Sequence, residues 1–361
     1  AAGRELLQDS SVDILIGNNE KANLPEILKA WEEEHDASHI HDLTREHTYE
    51  ELSLSHTAEH TRAYMKIQDG CNQFCTYCII PYTRGRVRSR KIEDIEAEAK
   101  RLAAGGYKEI VLTGIHLDSY GVDLENENLL DVIRRVAAID GIERIRLGSL
   151  EPRIMTEEFV EGLASVKELC PHFHLSMQSG CDETLKRMNR KYDTEEFLAC
   201  CDRLRAHFDE PALTTDVIVG FPGETEEDHE ELMNFVDEME FDRLGVFTYS
   251  AEEDTPAATM PDQIPEELKE ERRDEIMELQ QEISFEKAEE MVGKSLWCMV
   301  EGKVADEYAY VARTYKDAPG VDGYLFIQTI EELMSGDFVK VRVTGADEYD
   351  LIGEIDDEFT E

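Results

Sequence analysis

The sequence predicts an α/β protein in which a parallel sheet of six strands is followed by a small all-β domain. The first observation is that short apolar strands alternate with charged amphipathic helices from about residue 62 to 250, a pattern typical of βα units and a parallel sheet. The second is the change after Gly293, where five short strands are separated by turns and indicate a small β-barrel. The third is a group of three cysteines directly after the first strand, which predicts a metal site.

The six strands of the predicted sheet are Ala63–Ile67, Glu109–Thr113, Arg144–Gly148, His172–Ser176, Leu213–Val219 and Leu244–Thr248. Helices such as Lys91–Ala104 and Glu226–Glu238 lie between them. A long charged helix over residues 265–290 leads to the last domain, whose predicted strands are Leu296–Val300, Tyr308–Thr314, Gly323–Ile327, Phe338–Thr344 and Asp350–Ile355. Because ligand sites in such folds lie beyond the carboxyl ends of the strands, we expect the functional residues there.

The first 57 residues hold too little structure for a domain of their own. Val12–Gly17 is predicted as a buried strand and Leu24–Trp31 as a helix with a proline near its start. One strand and one helix cannot bury a core. The sequence therefore predicts four segments: residues 1–57, a core domain at 58–264, a connecting helix at 265–291 and a β-barrel at 292–361.

The three cysteines carry the clearest chemical signal. Cys71, Cys75 and Cys78 have the spacing C-x3-C-x2-C. A [4Fe–4S] cluster normally has four cysteine ligands, so three thiolates leave one iron open to bind a substrate or cosubstrate, as catalytic metal sites do. The alternative is a zinc site or ordinary core thiols. Zinc requires a fourth ligand at close spacing, and the next cysteine, Cys170, lies 92 residues downstream.

Composition restricts the environment and the partners. The other five of the eight cysteines are scattered without a disulfide framework, so we expect a reducing cytoplasm. The sequence contains no run long enough to span a membrane, and we expect no signal peptide. The formal net charge of −45 opposes non-specific binding to nucleic acid and favours a basic protein partner. The alternative is a solubility bias of the source organism.

The cysteine loop resembles the signature of the radical S-adenosylmethionine (SAM) superfamily. The longer string Gly70–Arg90, GCNQFCTYCIIPYTRGRVRSR, is similar to the methylthiotransferase branch of that superfamily. The resemblance implies a partial (β/α)6 radical-SAM barrel, a C-terminal TRAM-like β-barrel and, in residues 1–57, a remnant of an N-terminal α/β domain. It implies an enzyme that inserts sulfur and a methyl group at an unactivated C–H bond.

The same resemblance implies the cofactors: a [4Fe–4S] cluster bound by Cys71, Cys75 and Cys78, SAM, and a reducing electron donor. Methylthiotransferases carry three further cysteines in the N-terminal domain, which hold an auxiliary [4Fe–4S] cluster. Here no cysteine precedes Cys71, so either the chain is truncated, which we expect, or it has lost that cluster. Such a chain should cleave SAM but insert sulfur poorly or not at all.

The resemblance further implies that SAM contacts residues that follow the strands. Those residues are Tyr77, Thr113, Gly114, Ser149, Glu151, Gln178, Arg190 and Asp216. A Thr-Gly pair after a strand is otherwise an ordinary turn, and Arg190 is otherwise a basic helix terminus. The stretch Thr83–Lys91 carries five cations, which suggest a phosphate-rich substrate or, alternatively, solvated charge paired with the next helix.

Two parts of the chain indicate different substrates. Up to about residue 230, strings such as Tyr77–Gly85, Leu112–His116 and Arg146–Arg153 resemble the MtaB group, which methylthiolates C2 of N6-threonylcarbamoyladenosine next to the tRNA anticodon. From about residue 235, the strings Phe241–Ser250, Thr255–Ala258 and Ala312–Gly323 resemble the RimO group, which methylthiolates an aspartate of a basic small-subunit ribosomal protein. Residues 292–361 contain 6 basic and 16 acidic residues, whereas a barrel that binds RNA should be basic.

Because most of the cavity precedes residue 230, the sequence favours the tRNA anticodon stem-loop as substrate, with the basic ribosomal protein as the alternative. A further alternative is a catalytically inert acidic module that binds ribosomal protein. The change in resemblance suggests a hybrid chain joined within Gly220–Asp228, either by natural recombination or by an artefact of sequence assembly.

Overall fold

The computed structural model describes residues 9, 11–34, 38–39, 48–51, 61–318 and 320–356. Near the start, strand β1 (Leu15–Ile16) leads through helix α1 (Leu24–Glu34) to strand β2 (Ser38–His39). The two strands pair in parallel, so this segment forms one small βαβ unit. The predicted boundary between residues 57 and 58 lies outside the described residues.

The central unit alternates strands and helices as predicted. In chain order its elements are β3 (Arg62–Lys66), β4 (Gln68–Asp69), α2 (Ile80–Thr83), β5 (Arg88–Ser89), α3 (Ile92–Ala104), β6 (Glu109–Thr113), α4 (Leu129–Ala137), β7 (Arg144–Leu147), α5 (Glu157–Ala164), β8 (His172–His174), α6 (Asp182–Arg187), α7 (Thr194–His207), β9 (Ala212–Val219), α8 (Glu226–Met239) and β10 (Arg243–Thr248). Helix α9 (Glu266–Glu289) follows.

Six of these strands form an open parallel barrel. Strands β3, β6 and β7 pair in that order, and β8, β9 and β10 form a second parallel group. Parallel bridges from Ile145 to Leu169 and from Leu150 to Leu175 join the two groups. Within the described part of the chain, no strand pairs with the outer edge of β3 or β10. The barrel is therefore open between these two strands.

The two faces of the strands differ in chemistry, as the alternation of side chains along a strand allows. Ile110 and Leu112 of β6 are fully buried in one large cluster together with Ile95 and Leu102 of α3. This apolar layer fixes the helices on the outside of the barrel.

Several helices begin with a side-chain cap, and α8 has a reciprocal capping box between Thr225 and Asp228 at its first turn.

The C-terminal segment forms a closed five-stranded barrel. Its strands are β11 (Ser295–Lys303), β12 (Ala309–Arg313), β13 (Leu325–Gln328), β14 (Phe338–Asp347) and β15 (Asp350–Ile355), arranged in the order β11-β12-β13-β15-β14. Val300, Ala312 and Ile327 are fully buried inside it. An α/β open barrel followed by a small β-barrel confirms the predicted fold class. None of the described helices is long and apolar enough to span a membrane.

A buried ionic cluster joins the two barrels. The Glu109 carboxylate at the start of β6 is fully buried and lies 3.3 Å from Arg146 and 3.2 Å from Arg313 of the small barrel. Arg144 lies 3.8 Å from the same carboxylate. Burial alone would raise the pKa of Glu109, but the three guanidinium groups hold that pKa below its usual range.

Main-chain carbonyl groups of the small barrel complete this cluster. Arg146 donates to the carbonyl oxygens of Thr314 at 2.8 Å and Tyr315 at 3.0 Å. Arg144 donates to the carbonyl oxygen of Trp297 at 3.2 Å. Because these buried cations take their acceptors from the other barrel, the two barrels are held in a fixed relation.

The structure predicts that Glu109→Gln destabilises the protein strongly. The amide leaves the buried Arg144 and Arg146 without their carboxylate partner, while Arg313 keeps Glu301, and breaking a buried ion pair costs about 3–5 kcal/mol. Urea unfolding followed by circular dichroism measures the loss. The matched control is Glu143→Gln, whose partner Lys108 lies 3.6 Å away in an exposed pair. An equal loss in both variants would contradict this account.

Candidate functional site

Gly70, at the start of the cysteine loop, has a backbone conformation that any other residue would adopt only with strain. Gly70 has a φ of +71°, and a Cβ atom there would lie 1.9 Å from the carbonyl oxygen of Arg86. The next amide, of Cys71, donates to the carbonyl oxygen of Gly85 at 3.1 Å. Close backbone contact between the loop and the chain that returns from it therefore requires Gly70.

The end of helix α6 and the residues that follow it fix the middle of the cysteine loop. The Thr76 amide donates to the carbonyl oxygen of Met188 at 3.0 Å, and its hydroxyl donates to that of Arg187 at 2.9 Å. The Asn189 side chain donates to the carbonyl oxygen of Phe74 at 2.9 Å. Phe74 and Asn189 both have positive φ, at 53° and 61°, a backbone conformation that is uncommon for residues other than glycine.

The three cysteine side chains line one cavity of about 140 Å³ at the carboxyl end of the open barrel. All eight cysteines are free thiols. Burial raises the pKa of the Cys71 thiol to about 11 and also raises the pKa of Cys78. Metal binding reverses this preference, because a coordinated thiol is deprotonated.

Arg190 connects the loop with the far wall of this cavity. Its Nη1 donates to Cys75 Sγ at 3.2 Å, and its Nη2 lies 2.8 Å from Glu151 Oε1. The guanidinium group also lies over the Tyr192 ring, 4.9 Å from the centroid. The positive charge of Arg190 acts to lower the pKa of the Cys78 thiol, against the larger effect of burial.

A second group on the cavity wall consists of His116, Asp118 and Glu151. His116 Nε2 lies 3.3 Å from Glu151 and 3.7 Å from Asp118. Burial alone would raise the pKa of Glu151, but its contacts with His116 and Arg190 lower it. Burial raises the pKa of Asp118 to about 7. Burial alone would lower the pKa of His116, but the two carboxylates raise it. This cluster is poised to hold or exchange a proton beside the thiols.

Sequence reasoning missed Asp118 and gave His116 no role of its own. The only signal was their place two and four residues after the Thr-Gly turn at the end of β6. Gln68 was also missed, although its Oε1 accepts from the His116 amide at 2.8 Å. Its amide donates to the carbonyl oxygens of Asp69 and Gly70 at 2.8 and 2.7 Å. Gln68 thus ties the turn after β6 to the start of the cysteine loop.

Five of the eight predicted SAM contacts line the cysteine cavity: Tyr77, Ser149, Glu151, Gln178 and Arg190. The Tyr77 hydroxyl donates to Gln178 Oε1 at 3.1 Å. Gln178 has a φ of +69°, and its backbone bridges to Val217 of β9. The turn after β8 is therefore held to the neighbouring strand, which aims the Gln178 side chain at the loop.

Two other predicted contacts, Thr113 and Asp216, line a larger adjacent cavity of about 930 Å³ inside the open barrel. Ser149 lines both cavities, so they adjoin. Asp216 lies 3.2 Å from His174 Nε2. Gly114 lines neither cavity. A Cβ atom on Gly114 would lie 2.9 Å from the Gln68 side chain, which indicates a packing role in this structure.

Two cations of the basic stretch Thr83–Lys91 are buried in ion pairs within the fold. Arg88 is fully buried and pairs with Asp69 at 3.3 Å. Arg90 pairs with Glu98 at 2.7 Å and is also buried. Two of the five cations are therefore unavailable to a substrate, which favours the alternative of local pairing over the prediction of phosphate binding.

The chain matches known domain families in both of its main parts. Residues 65–236 match the radical SAM superfamily, and residues 292–355 match the TRAM domain. Among solved structures, it resembles the radical SAM methyltransferase TsrM from Kitasatospora setae, with a TM-score of 0.46, 20% identity and coverage of 64% of this chain and 40% of that one. Methylornithine synthase PylB gives a TM-score of 0.44, 15% identity and coverage of 61% and 62%.

Curated relatives are much more similar. The ribosomal protein uS12 methylthiotransferase RimO of Lachnoclostridium phytofermentans is 49% identical over 81% of this chain and 66% of the relative. The proteins of the same name are 39% identical in Clostridioides difficile (95% and 77% covered) and 40% identical in Clostridium novyi (98% and 80% covered). This chain thus spans about two thirds of the first relative's length.

The radical SAM superfamily uses a [4Fe–4S] cluster together with SAM, and the residues present fit this pair. Three free thiols on one loop face a single cavity. The donor set supplies three cysteine ligands and leaves one iron of the cluster for SAM. With the sequence matches to RimO over most of its length, the chain belongs to the radical SAM methylthiotransferase family.

Proposed function

We propose that this chain carries the radical SAM chemistry of an enzyme that methylthiolates an aspartate of the basic ribosomal protein uS12. The observation that carries the proposal is the similarity to the RimO relatives, which in Clostridium novyi extends over 98% of this chain and includes the TRAM domain. Cys71, Cys75 and Cys78 hold the cluster in this proposal. When bound, the cluster and SAM supply one-electron chemistry at an unactivated C–H bond.

The residues around the thiols bind SAM and balance the charge of its carboxylate. In this proposal Arg190 neutralises the SAM carboxylate, while Glu151 keeps the guanidinium in place through their 2.8 Å contact. Tyr77, Ser149 and Gln178 form the polar wall that orients SAM. Thr113, Gly114 and Asp216 are assigned to the SAM site by resemblance alone.

The tRNA interpretation receives less support than its alternative. The three relatives are named for uS12, and two of the matches cover 95% and 98% of this chain, so they extend across residues 220–228. This continuity gives the hybrid hypothesis no support. The acidic tail, with 16 acidic and 6 basic residues from 292 to 361, suits a cationic protein and opposes phosphate binding. A cytoplasmic location and a separate electron donor belong to the same proposal.

Alanine at Cys71, Cys75 or Cys78 is expected to abolish cluster assembly. Reconstitution with iron and sulfide under anaerobic conditions should give about four irons per wild-type chain and far fewer in each variant. Colorimetric iron assay and the absorbance of the cluster measure this. Cys200→Ala, at a buried thiol of helix α7, is the matched control and should retain its iron. Full iron content in the loop variants would contradict the assignment.

Arg190→Met is expected to weaken SAM cleavage. Loss of a buried charge-assisted contact typically costs about 1.5–3 kcal/mol, which corresponds to about a 10- to 150-fold fall in kcat/KM for SAM. Formation of 5′-deoxyadenosine under reducing conditions is the readout. Arg190→Lys should recover only part of the rate, because the single ammonium group of lysine cannot contact both Cys75 and Glu151 as the two guanidinium Nη atoms do. Lys186→Met, at an exposed cation of α6, should behave as wild type.

To identify the substrate, uS12 and a tRNA anticodon stem-loop are each incubated with the reconstituted chain in parallel. Deuterium at the aspartate Cβ of uS12 should appear in 5′-deoxyadenosine, and binding of uS12 should weaken with salt because the partners carry opposite charge. Transfer from the stem-loop instead would establish the tRNA interpretation. Failure to assemble a cluster, with uS12 still bound, would establish the inert binding module.

A further inference from the structure

Four exposed apolar side chains surround the mouth of the larger cavity. They are Tyr64, Phe247, Met277 and Val321, which are 42%, 58%, 39% and 82% exposed. Tyr64 lies on β3 and Phe247 on β10, the two edge strands of the open barrel. Met277 comes from α9, and Val321 comes from the loop between β12 and β13 of the small barrel. Apolar groups exposed together around a cavity mark an interaction site.

The cavity behind this mouth adjoins the cavity that holds the thiols. Its volume is about 930 Å³, at the upper end of the range for ligand cavities and large enough for several side chains. Ser149 on its inner wall also lines the cysteine cavity. A side chain that enters between the edge strands can therefore reach the space beside Cys71 and Cys78.

The small barrel supplies one wall of the cavity and two of its three acidic side chains, each of which accepts from a main-chain amide of the same barrel. Asp322 and Asp350 line it from this side. The cations of the cavity are already engaged: Arg146 donates to two carbonyl oxygens of the small barrel, and Arg243 donates to the carbonyl oxygen of Tyr349 at 3.2 Å. Asp216 is paired with His174 at 3.2 Å. The mouth thus combines apolar contact area with an acidic wall.

We propose that this mouth, defined by Tyr64, Phe247, Met277 and Val321, is the docking site for an extended segment of a basic protein substrate. The inference rests on the proposed function and identifies uS12 as the occupant. The argument for this occupant is charge complementarity, because a chain of net charge −45 with an acidic cavity wall attracts a cationic polypeptide. The acceptor side chain passes Ser149 toward the cysteine loop, so both barrels contact the substrate.

The test compares lysine substitutions inside and outside the mouth. Val321→Lys and Phe247→Lys remove apolar contact and repel a basic partner, so we expect each to weaken uS12 binding about tenfold or more. Ile330→Lys is the matched control, because Ile330 is an apolar residue of the same small barrel that is 86% exposed and does not line the cavity. Its dissociation constant should stay within about twofold of wild type.

Titration calorimetry of the reconstituted chain with purified uS12 gives the dissociation constants, and iron content with thermal unfolding reports folding. Phe247→Leu should recover binding because it keeps the apolar contact. Unchanged binding in the two mouth variants, or an equal loss in Ile330→Lys, overturns the docking site while leaving the proposed function intact. A wild-type chain that binds the stem-loop and not uS12 overturns both. If Phe247→Lys fails to fold, Val321→Lys decides alone, since Val321 is 82% exposed.

Discussion

The buried Glu109 carboxylate is the interaction on which the arrangement of this protein depends. Charges that face the inside of an open barrel are costly unless they are paired, and Glu109 is surrounded by Arg144, Arg146 and Arg313. Arg313 belongs to the small barrel, and carbonyl groups of that barrel accept from the other two arginines. The small barrel is therefore part of the wall of the open barrel. The larger cavity, which adjoins the cysteine cavity at Ser149, takes part of its lining from that barrel.

The fold could be predicted closely from the sequence, and for a physical reason. Strands that bury one face against helices carry strong apolar patterns, so the strand Glu109–Thr113 was predicted with the bounds that the structure shows. The five strands of the small barrel were also found because turns separate them. By contrast, β4 and β5 have two residues each, which is too short for any periodic pattern. They were missed, although they shape the cysteine loop.

The candidate site could be predicted only where a motif lies within one segment. The cysteine spacing is local, and the three thiols do share one cavity. Arg190 was predicted as a SAM contact from the family resemblance, but its contact with Cys75 joins residues 115 positions apart. The contact between Arg313 and Glu109 joins residues 204 positions apart. Such pairs depend on how the strands are arranged in space, which no local pattern encodes. The His116–Asp118–Glu151 cluster escaped prediction for the same reason.

The distribution of the arginines also bears on the partner. Arg88, Arg146 and Arg313 are fully buried in ion pairs or carbonyl contacts, so they neutralise interior acids and add little positive potential to the surface. A protein with 82 acidic and 37 basic residues that also buries some of its cations presents a strongly negative exterior. This field attracts a cationic polypeptide and repels a phosphate backbone. The small barrel that contributes to this field also lines the larger cavity, which adjoins the cysteine cavity at Ser149.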